Sequence, residues 1–222
     1  MDVMEAIKTR KSVRKFKADP VPKEILMKIL DAARYCSSSV NTQPWQIHII
    51  TGELLENIKR ENVEMLTSGV KPHPEVMLIH YEGVYRQRQV DTAIRLFKLM
   101  GIAREDRAAR ADWEQRGFRF FDAPVGIILA TEKSMEELHS QFDIGAMAQT
   151  ICLAALSCGL GTCIENQGVM FPEVVRKFAR IPDSSRLVVS IAMGYPDWDF
   201  PANEGRSARE SAEDFVTWYG FD

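Results

Sequence analysis

The sequence predicts a layered domain, α/β or α+β, in which helices cover a sheet. Three observations carry this. Strand-like apolar runs stand singly between helical patterns rather than as hairpins. Residues 186–193 form an almost unbroken apolar run, the mark of a strand buried on both faces. At 222 residues and 45% hydrophobic content, the chain has the length of one domain and enough material for one core.

The elements follow in order. Asp2 can cap a first helix over 3–9. Pro22 suits the first turn of a helix over 22–36, in which Ile25, Leu26, Ile29, Leu30 and Ala33 keep helical spacing. Residues 46–51 read as a strand, Gly52 as a turn, 53–66 as a helix and 67–74 as a loop. Helical patterns recur over 84–100 and 104–120, in a stretch rich in arginine. Ala123-Pro124 introduces an apolar strand over 125–131. Ser134 and Glu137 read as a capping box for a long helix over 135–158, which Gly159 ends as a left-handed cap. That helix carries Gly145, Ala146, Ala148, Ala154 and Ala155, which allow close approach of a neighbour in the core or across a dimer. A short strand over 162–165 and a helix over 172–179 precede the last strand. From Pro196 the chain is polar and aromatic. No repeat or linker divides it, so it reads as one domain with a helical insert or lid at about 70–120.

A net charge of −3 and a pI near 5.9 argue against general nucleic-acid binding. No apolar run approaches the roughly 20 residues of a membrane span, and the acidic start Met1-Asp-Val-Met-Glu has no signal-peptide core, so a cytoplasmic protein is expected. Cys36, Cys152, Cys158 and Cys163 lack Cys-x-x-Cys spacing and the four histidines are scattered, which argues against zinc. Cys152 and Cys158 read as buried thiols in an apolar helix, and Cys163 is a weak nucleophile candidate because no histidine lies near it in sequence.

Two clusters carry chemistry. Ser37-Ser-Ser-Val-Asn-Thr-Gln-Pro-Trp45 is dense in amides and hydroxyls. Asn41 and Gln43 offer paired donors and acceptors, Pro44 stiffens the exit and Trp45 adds a flat wall, so the loop can read the edge of a planar heteroaromatic ring. Taken alone it is equally a polar helix-to-strand turn. Arg10-Lys-Ser-Val-Arg14 packs three cations and a hydroxyl into five residues, a donor set for phosphate or a solvated basic patch. Gly159-Leu-Gly-Thr-Cys-Ile-Glu-Asn166 has glycines at i and i+2, which permit tight backbone paths and close ligand approach. It fails as a dinucleotide fingerprint because the third glycine is missing and it follows a helix.

Together these segments resemble the FMN-dependent nitroreductase family. The resemblance rests on Arg10, Ser12 and Arg14, on Ser38 to Trp45, on Gly159-Leu-Gly161 with Ile164, and on Gly194-Tyr-Pro196 with the late pair Arg206 and Arg209. It covers residues 1–60 and 121–222, and leaves 70–120 uncovered. It implies an α+β three-layer sandwich with a mixed central sheet, forming an intertwined homodimer with FMN at the interface. NADH or NADPH would deliver hydride to flavin N5, and an electron-poor acceptor such as a nitroaromatic or quinone would then take its place. No protein nucleophile is needed; the flavin carries the chemistry. The cofactor-binding residues so implied are Arg10, Lys11, Ser12 and Arg14; Ser38, Asn41 and Gln43; Cys163, Ile164, Glu165 and Asn166; and Arg206 with Arg209. Within these, Arg14 would face the charge at N1–C2=O, Arg10 and Ser12 the phosphate and ribityl chain, and Asn41 and Gln43 the pyrimidine edge. The family often has Gly where this chain has Asn166. For the uncovered segment there are two readings: solvated helices, or a lid whose Tyr85, Arg86, Arg88, Arg95 and Trp113 meet an acidic substrate. A specialised reductase of the same family, acting on carbon–halogen or activated double bonds, and a flavin-binding module without turnover are the alternatives.

Overall fold

The structure is a computed structural model describing residues 2–76, 80–135 and 137–221. Four strands, β1 (Gln46–Thr51), β2 (Val125–Glu132), β3 (Gly161–Glu165) and β4 (Ser185–Gly194), form one sheet in the order β1-β2-β4-β3. Neighbouring strands all pair antiparallel. Among the described residues, the parallel component of the expected mixed sheet is confined to one isolated bridge between Ser12 and Thr162. The N-terminal segment makes too few ladder bonds beside β3 to extend into a strand.

The helices are α1 (Val3–Thr9), α2 (Lys23–Ala33), α3 (Gly52–Thr67), α4 (Gly83–Leu99), α5 (Arg107–Phe118), α6 (Glu137–Ser157), α7 (Pro172–Ala179) and the short α8 (Pro201–Glu204). The sheet separates two apolar layers. On β2, Val125, Ile127 and Leu129 pack with the layer of Ile29 from α2 and Ile144, Met147 and Ile151 from α6. Ile128 and Ala130 point the other way, toward Leu55 and Ile58 of α3, Val174 and Val175 of α7, and Phe171. Period-two alternation with both faces covered is why β2 and β4 read as continuous apolar runs.

Several boundaries shift. Asp2 caps α1 as expected, its Oδ1 accepting from the Glu5 N–H at 2.9 Å. Pro22 is the residue before α2 rather than its first, and the helix ends at Ala33, with Cys36 N–H closing a turn on Ala33 O. Helix α6 is described from Glu137; Glu136, within its expected first turn and capping box, lies outside the described residues, as do 77–79 of the expected insert. Gly159 takes φ +74° and ends α6 as a left-handed cap. Three consecutive non-glycine residues, Phe120, Phe121 and Asp122, have φ of 53°, 51° and 60°. They reverse the chain between α5 and β2, and the buried Phe120 ring and the Asp122 ion pairs hold this costly backbone in place.

Candidate active site

Segment 11–17 is drawn to the sheet by backbone bonds. Val13 N–H donates to Thr162 O at 2.9 Å, Lys17 N–H to Tyr195 O at 2.8 Å, and Asp197 N–H to Lys15 O at 3.1 Å. Gly161 makes the approach possible: a Cβ there would stand 2.7 Å from Val13 Cγ2 and 2.8 Å from a Pro196 ring carbon. The close approach foreseen at this glycine is therefore to the protein's own chain. The result puts Arg10–Arg14 beside Cys163–Asn166, across 150 residues of sequence.

Two residues outside the sequence motifs fix Arg14. Asn203 is fully buried; its Oδ1 accepts from the Arg14 N–H at 2.6 Å, and its Nδ2 donates to Lys15 O at 2.8 Å and Asp197 O at 2.7 Å. Arg116 of α5 donates through Nη2 to Arg14 O at 2.9 Å, pairs with Asp122 at 3.6 Å and lies over the Phe200 ring.

Arg14 stands between two clefts. One, of about 710 Å³, is lined by Arg10, Lys11, Ser12, Arg95, Gln149, Arg206 and Arg209 among others. The second, of about 940 Å³, has Cys163, Ile164, Glu165, Asn166 and Gln167 along one side, with Phe97, Trp113 and Phe121 also on its walls. Both clefts carry arginines, and the larger also has aromatic walls. Within the smaller cleft the groups are not all free. Lys11 Nζ donates to Asn203 O and sits over Trp198, and burial lowers its pKa, with Arg206 adding to the effect. Arg206 caps the end of α1 through Lys8 O and Thr9 O, at 2.6 and 2.8 Å. Arg209 folds onto Ser207 O and Ala208 O.

Glu165 ends β3 inside the protein. Its Oε2 accepts from the Gly168 N–H at 2.9 Å, and Ser190 Oγ lies 2.8 Å from Oε1 and 2.7 Å from its carbonyl oxygen. Burial pushes its pKa up to about 7, against the opposite pull of Ser190, Gly168 and Gln167. The carboxyl thus ties down the turn at Gln167–Val169, whose first residue lines the cleft. Cys163 is buried, and desolvation raises its thiol to about 11, which suits packing and not nucleophilic attack.

The loop carrying Ser38, Asn41 and Gln43 lines neither cleft of its own chain. Ser39 N–H donates to both Asp143 carboxylate oxygens at 3.2 Å, and Gln43 N–H to Ser38 Oγ at 2.9 Å. Val40, Asn41 and Gln43 take φ of 42°, 60° and 47°, and all three side chains are exposed. Trp45 packs on the α2–α6 layer and is not a free wall.

The arginine-rich segment resolves into α4 and α5, and its inward face differs from the expectation. Arg107, Arg110, Ala111, Glu114 and Gly117 line the larger cleft at helical spacing, with Arg104 just before them and Trp113 alongside. Gln89, Ala93, Leu96 and Phe97 form the facing stripe of α4. Tyr85, Arg86 and Arg88 are not on it. Arg88 pairs with Glu210 at 3.0 Å near Tyr85, Arg86 bonds Gln89 beside a neighbouring groove, and Arg95 belongs to the cationic cleft.

Fold and site define an α+β protein with two clefts that share Arg14, one lined by several cations and the other by arginines and aromatic side chains. The Nitroreductase family model matches residues 7–195, and the chain belongs to that family. Among curated relatives, a nitrobenzene nitroreductase of Ectopseudomonas oleovorans is 34% identical over 96% of this chain and 95% of its own length. A 4-nitrobenzoate reductase of Pseudomonas putida is 32% identical over 100% and 97%. Among solved structures, the FMN and NADPH-dependent nitroreductase NfnB of sphigopyxis sp. strain HMH superposes with TM-score 0.95 at 28% identity, covering all of both chains.

Proposed function

We propose that this protein is an FMN-dependent, NAD(P)H-oxidising nitroreductase. The observation that carries this is the pair of clefts that share Arg14, one ringed by cations and the other walled by aromatic side chains and further arginines. The donor set fits FMN, a planar ring joined through a ribityl chain to a phosphate dianion. Arg10, Lys11, Ser12, Arg206 and Arg209 would hold the phosphate end, with Arg95 added from α4. Arg14 and the backbone at Cys163–Asn166 would lie along the ring. Bound flavin supplies reversible hydride transfer, which no side chain here can. The chain's own residues have other tasks. Arg14, whose backbone is clamped by Asn203 and Arg116 and whose guanidinium donates to Ser12 O, would present positive charge where the reduced ring is anionic. Glu165 holds the turn beside it rigid. Helices α4 and α5 wall the slot that nicotinamide and acceptor occupy in turn. One hydride and one proton convert a nitro group to nitroso plus water, and a second of each give the hydroxylamine.

The reading includes a homodimer. Loop 38–45 carries the amides suited to the ring edge yet lines neither cleft of its own chain, so it serves the partner's site. Strand β1 is at the sheet edge, next to a groove of about 830 Å³ lined by Ile47, Ile49 and Phe178 among others. Val3, Met4 and Ile7 of α1, Phe142 of α6, and Phe215, Trp218, Tyr219 and Phe221 of the tail are exposed apolar surface of the kind an interface covers. Among the described residues no helix is long and apolar enough to cross a membrane, and dependence on NAD(P)H favours the cytoplasm. The test is direct. The purified protein is expected to be yellow, to release FMN on heating, to be bleached anaerobically by NAD(P)H and to recover colour with a nitroarene. Sedimentation should give a dimer, and FMN loss should track dissociation. A colourless protein that does not take up FMN would sink the reading.

A further inference from the structure

The inward stripe of α5 goes beyond this reading while resting on it. Among the ionisable residues lining the larger cleft are Arg14, Arg104, Arg107 and Arg110, against Glu114 and Glu165. Glu165 is buried and already tied to Ser190 and Gly168. Asp122 and Asp112 engage Arg116, further along α5, and Arg119, just past its end. Among the described residues, Arg104, Arg107 and Arg110 have no carboxylate within ion-pair distance. Arg110 is half-buried and fixed over the Phe97 ring, 4.1 Å from its centroid, so its fork is presented without further ordering cost. Glu114, one turn beyond Arg110 on the same stripe, leaves the positive charge concentrated toward the start of the helix.

The geometry points to Arg107 and Arg110 as specificity-determining residues that select acceptors carrying an anionic substituent, nitroarenes with a ring carboxylate, by holding that carboxylate. Phe97, Trp113 and Phe121 give the ring apolar walls, and the carboxylate reaches α5 while the nitro group stays toward Arg14 and β3. Lys or Gln at Arg110 would lose the bidentate fork.

The test compares 4-nitrobenzoate with 4-nitrobenzamide at saturating NAD(P)H, in the FMN-loaded wild type and in Arg107→Gln, Arg110→Gln and the double variant. Arg60→Gln, on exposed α3 beside Glu64, is the surface control. The wild type is expected to favour the acid. Removing one charge-assisted pair should lower kcat/KM for the acid about tenfold and leave the amide within about twofold. Added salt should shrink the wild-type preference. Benzoate and benzamide, titrated as non-reacting ligands by tryptophan fluorescence, should show the same discrimination in binding. Equal acid-to-amide ratios in wild type and both variants overturn the proposal. So does a loss confined to NAD(P)H, which would assign the arginines to the dinucleotide phosphates. A protein that binds FMN, reacts with NAD(P)H and reduces neither nitroarene refutes the nitroreductase reading, and this proposal with it.

Discussion

Asn203 is the most informative residue to replace, because no motif contains it and it holds Arg14 in place. Asn203→Ala deletes three part-buried hydrogen bonds: from Arg14 N–H at 2.6 Å, and to Lys15 O at 2.8 Å and Asp197 O at 2.7 Å. A net bond contributes about 1 kcal/mol; Lys15 O and Asp197 O keep the Asp197 and Phe200 N–H donors while the Arg14 N–H loses its acceptor, so a loss of about 3 kcal/mol is expected. For a chain of this length that is a fall in Tm of roughly 6–12 °C. Asn203→Asp sharpens the test. The aspartate can still accept from Arg14, but its second oxygen replaces a donor and faces two carbonyl oxygens. Burial then favours the protonated form, so this variant should lose stability progressively as pH rises. Both are measured by thermal unfolding with FMN in fixed excess, and FMN affinity should weaken in each because Arg14 loses its anchor. A Tm within 2 °C of wild type for the alanine variant, or an aspartate variant insensitive to pH between 5 and 8, would refute the reasoning.

Three further outcomes are expected. Glu165, raised from 4.5 to about 7, makes the folded state the stronger proton binder. Its contribution is therefore fully present below pH 4.5 and is lost as pH rises toward 7, about 3 kcal/mol in all. Tm of Glu165→Gln should accordingly gain on wild type between pH 5 and 8, and a constant difference would contradict the burial argument. In Gly168→Ala the new methyl would meet Phe120 Cζ at 2.4 Å and Ser190 Oγ at 2.6 Å, and the buried ring cannot swing away; overpacking of about 1–3 kcal/mol should appear as lower Tm. Arg10→Ala and Arg209→Ala should each weaken FMN binding about ten- to hundredfold with circular dichroism unchanged, since each removes a charged donor from a dianion.

What was legible in the sequence is what a short stretch specifies. The Asp2 cap, the Gly159 stop, the apolar runs of β2 and β4 and the cationic cluster at Arg10–Arg14 depend on neighbours a few residues away. Asn203 and Arg116 were not legible, because each matters only through chain segments brought together by the pairing of 11–17 with β3 and the Tyr195–Asp197 turn. The arginines that line the larger cleft did not stand out on the insert for a related reason. A helix normally reveals its inward face by an apolar stripe, but α5 turns Arg107, Arg110 and Glu114 toward a cleft, so the usual signal is missing. Asp106 caps α5 and fixes where the helix begins, while the face at 107, 110, 111, 114 and 117 is turned to the cleft by packing against the rest of the fold.

Loop 38–45 shows the other limit. Its residue types fit ring recognition, and nothing in them says which subunit's ring. The backbone adds what composition could not. Val40 is β-branched, 92% exposed and held at φ 42°, a conformation that costs about 1–3 kcal/mol and that no packing of its own side chain repays. The Asp143 carboxylate, accepting the Ser39 N–H, fixes the loop from α6. Strain persists where the surrounding structure over-determines it, and here the determinants inside the chain are the Asp143 carboxylate and bonds within the loop, Gln43 N–H to Ser38 Oγ, Asn41 N–H to Ser38 O and Thr42 N–H to Ser39 O. In the proposed dimer the remaining contacts come from the partner, which predicts that a glycine at Val40, free of the left-handed penalty, stabilises the dissociated chain more than the dimer. Comparing sedimentation of Val40→Gly with wild type reads this directly. Weaker self-association is expected, and an unchanged dimer constant would mean the loop's shape owes nothing to assembly.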